Sequence, residues 1–191
     1  MQIVDHVSVF GLEESIRGAK FPMSVDVDSL SGDLTKGISN LATVPTGTGH
    51  DQWLTGVIVQ FDLTFSNKAW VEAERYHFLD FVSSQSTMHR ITRLDPARQC
   101  NEYVDSRIID ILREKIAAYN ADQTPENYLH VLYNIPSGFR LTARMTTNYR
   151  QLKTIYQQRR THRLPEWREF CRWVETLPEA QLITGGAASE A

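Results

Sequence analysis

The chain has 191 residues, a mass of 21.9 kDa and a formal net charge of −3, which fits one domain and speaks against a general nucleic-acid coat. Hydrophobic residues at 41% and charged residues at 23% exclude wholesale disorder. No apolar run approaches the roughly 20 residues that span a bilayer, no cationic leader precedes an apolar core, and Cys100 and Cys171 lack metal-ligand spacing, so the chain reads as a cytoplasmic protein with reduced thiols.

The opening QIVDHVSVFG alternates and stops at Gly11, which predicts a short strand followed by a helix through LEESIRGAK. From Lys20 to His50, Gly, Ser, Thr, Asp and Pro recur, including PTGTGH, and predict a long irregular loop of the kind that often carries function. GVIVQFDLTF, residues 56–65, sets Val57, Val59, Phe61, Leu63 and Phe65 on one side and Ile58, Gln60, Asp62 and Thr64 on the other, a strand with one buried face. SNKAWVEAERYHFLDFVSSQS starts with a Ser66 or Asn67 cap and has helical spacing through Trp70, Ala73, His77 and Phe81, which predicts His77 on a helix, projecting where Phe81 faces.

From Asn101, NEYVDSRIIDILREKIAAYN repeats Val104, Ile108, Leu112 and Ile116 every four residues, an amphipathic helix. A second helix begins at Thr124-Pro125-Glu126, another is predicted from Thr142 to Arg160, and a last one follows Pro165 through Val174. The end, GGAASEA, predicts a disordered tail, with residues 1–180 as a single domain and 181–191 as the tail. The sum is an α+β fold class, helix-rich, with a small, mainly antiparallel sheet.

Chemistry concentrates in RYHFLDFVSSQSTMHR, Arg75 to Arg90, where histidines, serines and a glutamine lie between two arginines. By themselves these residues have ordinary structural readings: His77 as a satisfied core histidine, Ser86 as a cap, and Trp70, Tyr76, Phe78 and Phe81 as core or subunit interface. Asp51, Asp62 and Asp80 have no ligand spacing, so no metal is expected. Ser86 lacks a nucleophile elbow, and neither cysteine has an activating neighbour. The basic segment holding Arg140, Arg144, Arg150, Lys153 and Arg159 to Arg172 offers groups for a phosphate, while its cationic helix end is better explained by the helix dipole.

Three pieces in order resemble the flavin-dependent thymidylate synthases, which methylate dUMP with a reduced flavin. GHDQWLTGVIVQFDL from Gly49 is similar to that family's opening segment, a histidine and a helical turn before a strand. Tyr76-His77-Phe78, seven residues and then Ser86 has the spacing of the family signature, Arg-His-Arg, seven residues, serine. Pro136 lies twelve residues before Asn148, and NYRQLKTIYQQRR resembles the family's arginine-ended helix. The resemblance covers Gly49 to Trp173, with departures: Tyr76 and Phe78 replace the signature arginines, Thr55 and Gly56 replace an acid and a histidine, and Met88 stands where an arginine is expected.

The resemblance implies flavin contacts at His50, His77, Asn148 and Arg150. It implies nucleotide contacts at Ser86 and at Arg159, the latter placed against the pyrimidine as the catalytic candidate, and the adjacent Gln85 and nearby Arg90 add an amide and a guanidinium for the phosphate. It implies a pyrimidine nucleotide such as dUMP as partner, FAD as cofactor, folate and NADPH if the chain is catalytic, and a homo-oligomer, tetramer favoured, with sites between subunits. Three readings follow. The first is a divergent enzyme transferring one carbon to the pyrimidine C5, the second a non-catalytic nucleotide-binding protein on the same scaffold, and the third an interaction protein of a phage, another virus or a mobile element. Loss of two charge-assisted contacts at about 1.5–3 kcal/mol each weakens flavin binding and favours the second over the first.

Overall fold

The computed structural model describes residues 2–45 and 47–185. Strand β1 (Val4–Phe10) ends at Gly11, whose φ of 71° and close approach to the Gly56 carbonyl, 2.7 Å from where a Cβ would sit, both require glycine. Helix α1 (Leu12–Ala19) follows at once. The expected long loop is broken by a second helix, α2 (Lys36–Thr43), capped by the Thr35 hydroxyl and buried through Ile38 and Ala42. A 3₁₀ turn (Gln52–Gly56) then leads into β2 (Ile58–Ser66), and Val57, Val59, Phe61, Leu63 and Phe65 are fully buried, as the alternation requires.

The next two segments differ from the sequence reading. Helix α3 spans only Asn67–Ala73; residues 74–79 form a turn, and Asp80–Ser84 is strand β3. His77 is therefore on an exposed turn and Phe81 on a sheet edge. After helices α4 (Thr87–Arg90), α5 (Pro96–Gln99), α6 (Ser106–Ala121) and α7 (Pro125–Leu132), residues Arg140–Asn148 are strand β4, where a helix was expected from Thr142. Only α8 (Tyr149–Arg159) keeps the helical half. The reason is visible in LTARMTTN: Ala143, Met145 and Thr147 alternate inward, and the threonines suit a pleated strand.

The sheet order is β1-β2-β4-β3, antiparallel throughout, with Asp80 opposite Thr146 and Phe61 opposite Met145. Its inner face packs on α8 and on α9 (Pro165–Val174), and the short α10 (Gln181–Thr184) packs against α8 and α2. Phe65 meets Trp167 edge-on at 4.9 Å between ring centroids. Leu182 and Ile183 are buried, so the chain from 181 to 184 is part of the packed core and not of the expected tail; residues 186–191 lie outside the described range. A smaller cluster around Ile91, Leu112, Val131 and Phe139 ties α6 and α7 to the sheet. Helix α6 starts at an Asp105 cap, later than expected, and of its apolar row Leu112 is buried while Ile108 is half-exposed. No described helix is long and apolar enough to cross a membrane.

Candidate functional site

Helix α8 organises the site. Asn148 caps it, its side-chain oxygen accepting from the Gln151 amide at 2.8 Å, while Leu152, Ile155 and Tyr156 anchor it in the core. Gln151, Thr154 and Gln158, spaced three and four apart, share the outward face. Two adjoining clefts run along that face. The larger, about 460 Å³, is bounded by Gln52, Thr55, Asn148 and Arg150; the smaller, about 340 Å³, by Arg75, Tyr76, His77 and Arg159. Phe78, Gln151 and Thr154 line both, so the clefts form one furrow with the exposed Phe78 ring at its middle.

The turn that carries Tyr76 and Phe78 is pinned. The Thr147 hydroxyl donates to the Phe78 carbonyl at 2.6 Å. Tyr76, nearly buried, donates to Gln158 Oε1 at 2.9 Å and accepts from Arg159 Nε at 2.8 Å. Arg159 also donates from Nη1 to Glu72 Oε2 at 2.6 Å and lies over the Trp167 ring, 5.0 Å from its centroid. His162 Nε2 reaches the same Glu72 oxygen at 3.1 Å, and the Leu164 amide donates to its Nδ1, which assigns the proton to Nε2. Burial pushes the Tyr76 phenol above its ordinary pKa despite Arg159 beside it, so it stays neutral at physiological pH.

A second ionic group lies under the larger cleft. Asp51, with no exposed surface, accepts from Lys153 Nζ at 2.9 Å through Oδ2 and from Arg150 Nε at 3.1 Å through Oδ1. The sequence reading weighed Asp51 only as a metal ligand and Lys153 only as one of a basic segment open to phosphate, and missed that the two pair in the interior. The available signal was Lys153 itself, a lysine on the apolar face of α8 between Leu152 and Ile155, which needs a counter-ion to be buried there.

Of the expected site residues, Asn148 and Arg150 share the larger cleft, and His77 and Arg159 the smaller. His50 is exposed on a turn and lines neither. Gln85, Ser86 and Arg90 lie elsewhere. Gln85 clasps Thr142 twice, its amide donating to the Thr142 carbonyl and its side-chain oxygen accepting from the Thr142 amide, each at 2.9 Å. Ser86 precedes α4 and pairs its hydroxyl with His89 Nδ1 at 2.8 Å; Arg90 is exposed. Thr142 and Asn148 are six strand residues apart, or about 20 Å, so this group and the furrow sit at opposite ends of β4. Cys171 is buried and its thiol is pushed up to about 12, chiefly by burial and then by Glu175, which removes it as a nucleophile at neutral pH. Among the described residues no cluster of His, Cys, Asp or Glu is arranged to hold a metal ion.

Where the resembled signature carries two arginines, this furrow has a phenol turned inward and a ring with no donor. One guanidinium, that of Arg150, remains open to the larger cleft. These residues do not fit a flavin clamped by paired arginines.

No protein-family model and no curated protein matches the sequence. The fold is that of the flavin-dependent thymidylate synthases. A crystal structure of that enzyme from Helicobacter pylori, complexed with FAD and dUMP, superimposes with a TM-score of 0.72 at 15% identity, covering 94% of this chain and 96% of the other. A second, also from Helicobacter pylori with FAD and dUMP, gives 0.67 at 17% identity, covering 94% of each chain.

Proposed function

We propose that this protein binds a pyrimidine deoxynucleotide of the dUMP kind on a thymidylate-synthase-like scaffold. The observation that carries the reading is the furrow along α8, which sets an exposed aromatic ring, Phe78, beside an outward guanidinium, Arg150. A planar base and an anionic group are the complementary ligand chemistry. In this reading Gln85, Ser86 and Arg90 of a second copy join Arg150 at the nucleotide phosphate, and Arg159 faces the pyrimidine. The two groups lie at opposite ends of β4, so they form one site only when a second copy supplies one of them. A homo-oligomer, tetramer favoured, in the cytoplasm is part of the proposal.

Transfer of one carbon to the pyrimidine C5 belongs to this reading only where FAD is retained, with folate as donor and NADPH as reductant. When bound, the flavin would supply hydride; His50, His77, Asn148 and Arg150 are the residues proposed to hold it. The engagement of Arg159 by Glu72 and Tyr76 within the chain favours binding without turnover, because a guanidinium already satisfied has less to offer a substrate.

The test is absorbance from about 300 to 550 nm after incubation with FAD and desalting, together with thermal shifts on adding dUMP and light scattering for the oligomer. Stabilisation by dUMP in a colourless protein is the expected result. Absence of any shift with dUMP, with or without FAD, overturns the reading.

A further inference from the structure

Asp51 and Lys153 are removed from water, with relative exposures of 0% and 2%. Each ammonium hydrogen of Lys153 has its own oxygen: Ala42 O at 2.7 Å, Val44 O at 2.6 Å and Asp51 Oδ2 at 2.9 Å. An ammonium with three acceptors has no donor left for a ligand. Its role is internal, balancing Asp51 and tying the end of α2 to α8. The second carboxylate oxygen takes Arg150 Nε at 3.1 Å. One carboxylate thus faces two cations, and the excess positive charge surfaces at Arg150, whose side chain is 28% exposed and lines the larger cleft. The Arg150 terminal nitrogens make no hydrogen bond to any described residue.

We infer that Asp51, charge-balanced by Lys153, is a positioning residue that fixes the Arg150 guanidinium with its two terminal nitrogens toward the larger cleft, as a fork for an oxyanion. The ligand class is a phosphorylated one, the phosphoryl group coming from a nucleotide or from a dinucleotide cofactor. The inference rests on the nucleotide-binding reading above and deepens it. A guanidinium already held at Nε loses little freedom when its fork closes on an anion. Gln52, Thr55 and Asn148 line the same cleft; the Thr55 hydroxyl donates to the Gln52 carbonyl at 2.7 Å, which leaves the side-chain amides of Gln52 and Asn148 as the neutral donors beside the fork.

The experiment is calorimetric titration of the full chain with dUMP, FAD and inorganic pyrophosphate. The proteins compared are the wild type, Arg150→Ala, the double variant Asp51→Leu/Lys153→Met, which leaves no acceptor for Arg150 Nε at position 51, and the combination of all three changes. The double variant removes both charges of the buried pair together, so neither is left unpaired, and circular dichroism verifies its fold. Arg150→Ala is expected to weaken the phosphorylated ligand by roughly ten- to a hundred-fold, and the double variant by about ten-fold. In the double-variant background the loss of Arg150 costs little more, because an unanchored fork contributes little. The dUMP and FAD arms separate the two sources of phosphate.

Wild-type affinity in the folded double variant overturns the positioning role and leaves the nucleotide reading standing. Arg150-dependent binding of pyrophosphate alone keeps the fork and removes the nucleotide reading. No binding of any of the three overturns both. Should the double variant fail to fold, the wild-type Arg150 Nε–H resonance, assigned by its loss in Arg150→Lys, decides the matter. Slow exchange with solvent supports the anchor, and exchange as fast as that of exposed arginines overturns it.

Discussion

The Arg159 guanidinium donates from Nε to the Tyr76 hydroxyl at 2.8 Å, and that hydroxyl passes its own hydrogen to Gln158. Tyr76 stands where the resembled signature has an arginine. A position that would present a cation to a cofactor has become a neutral group that satisfies a cation of its own chain. Glu72 completes the arrangement from α3, so α3, the turn at 74–79 and the end of α8 are joined by one polar network.

Tyr76→Phe removes the hydroxyl and leaves both Arg159 Nε and Gln158 short of a partner. The expected cost is about 1–2 kcal/mol in denaturant unfolding. Tyr76→Arg costs more, because it sets a second guanidinium against Arg159. A Tyr76→Phe variant as stable as the wild type would show that the phenol hydroxyl contributes nothing to the network.

The buried pair under the larger cleft is more sensitive. Asp51→Leu leaves Lys153 charged with no counter-ion, and Lys153→Met leaves Asp51 with Arg150 alone. Each single change is expected to destabilise by about 3–5 kcal/mol, with the double variant milder than the sum. Urea midpoints of the three proteins check this.

Phe78 is 61% exposed and its backbone is held by Thr147, so its side chain can be exchanged with little effect on folding. Phe78→Arg restores one cation of the resembled signature. It is expected to strengthen FAD binding by about 1.5–3 kcal/mol, read from quenching of flavin fluorescence. Phe78→Ala is expected to weaken a base-bearing ligand without changing the melting temperature.

Asn148 serves two ends of one amide: its oxygen caps α8, and its nitrogen is open to the cleft. Asn148→Ala loses the cap, about 0.5–2 kcal/mol of stability. Asn148→Asp keeps an acceptor for the Gln151 amide and loses the donor, so it is expected to retain stability and lose ligand affinity. Equal loss of both in the two variants would argue that Asn148 is only a cap.

Alkaline pH weakens the fold through Cys171 and Tyr156. The Cys171 thiol rises from 9.0 to about 12 by burial, then by Glu175, and the Tyr156 phenol from 10.0 to about 12 by burial and its bond to Glu175. Both folded values lie above the unfolded ones. Their contribution is therefore complete below pH 9 and is lost as pH rises toward 12, the unfolded chain releasing protons that the folded one keeps. The slope from Cys171 is up to about 1.4 kcal/mol per pH unit. Urea midpoints across this range are expected to fall, and Cys171→Ala flattens the early part. In the native protein at pH 8 the thiol should resist aromatic disulfide reagents.

Local pattern determined much of this protein. The alternation of Val57 to Phe65 is enough for a one-sided strand, Thr124-Pro125 for a helix start, and the spacing from Tyr76-His77-Phe78 to Ser86 for the resemblance that the fold bears out. The errors at 74–84 and 140–148 have a single source. β3 and β4 pair with each other, and β4 also with β2, so the strand state of each depends on residues far along the chain. A period of three or four read within one segment cannot register those hydrogen bonds.

The polar site depended on tertiary structure in the same way. Asp51 and Lys153 are 102 positions apart, and Tyr76 and Arg159 are 83 apart, yet each pair is within hydrogen-bonding distance. The residue types were legible in the sequence; which cation each acceptor holds, and which guanidinium is left facing the cleft, was decided by the packing of α8 against the sheet. Burial makes that choice, because a charge taken out of water must find its counter-charge nearby, wherever the fold supplies it.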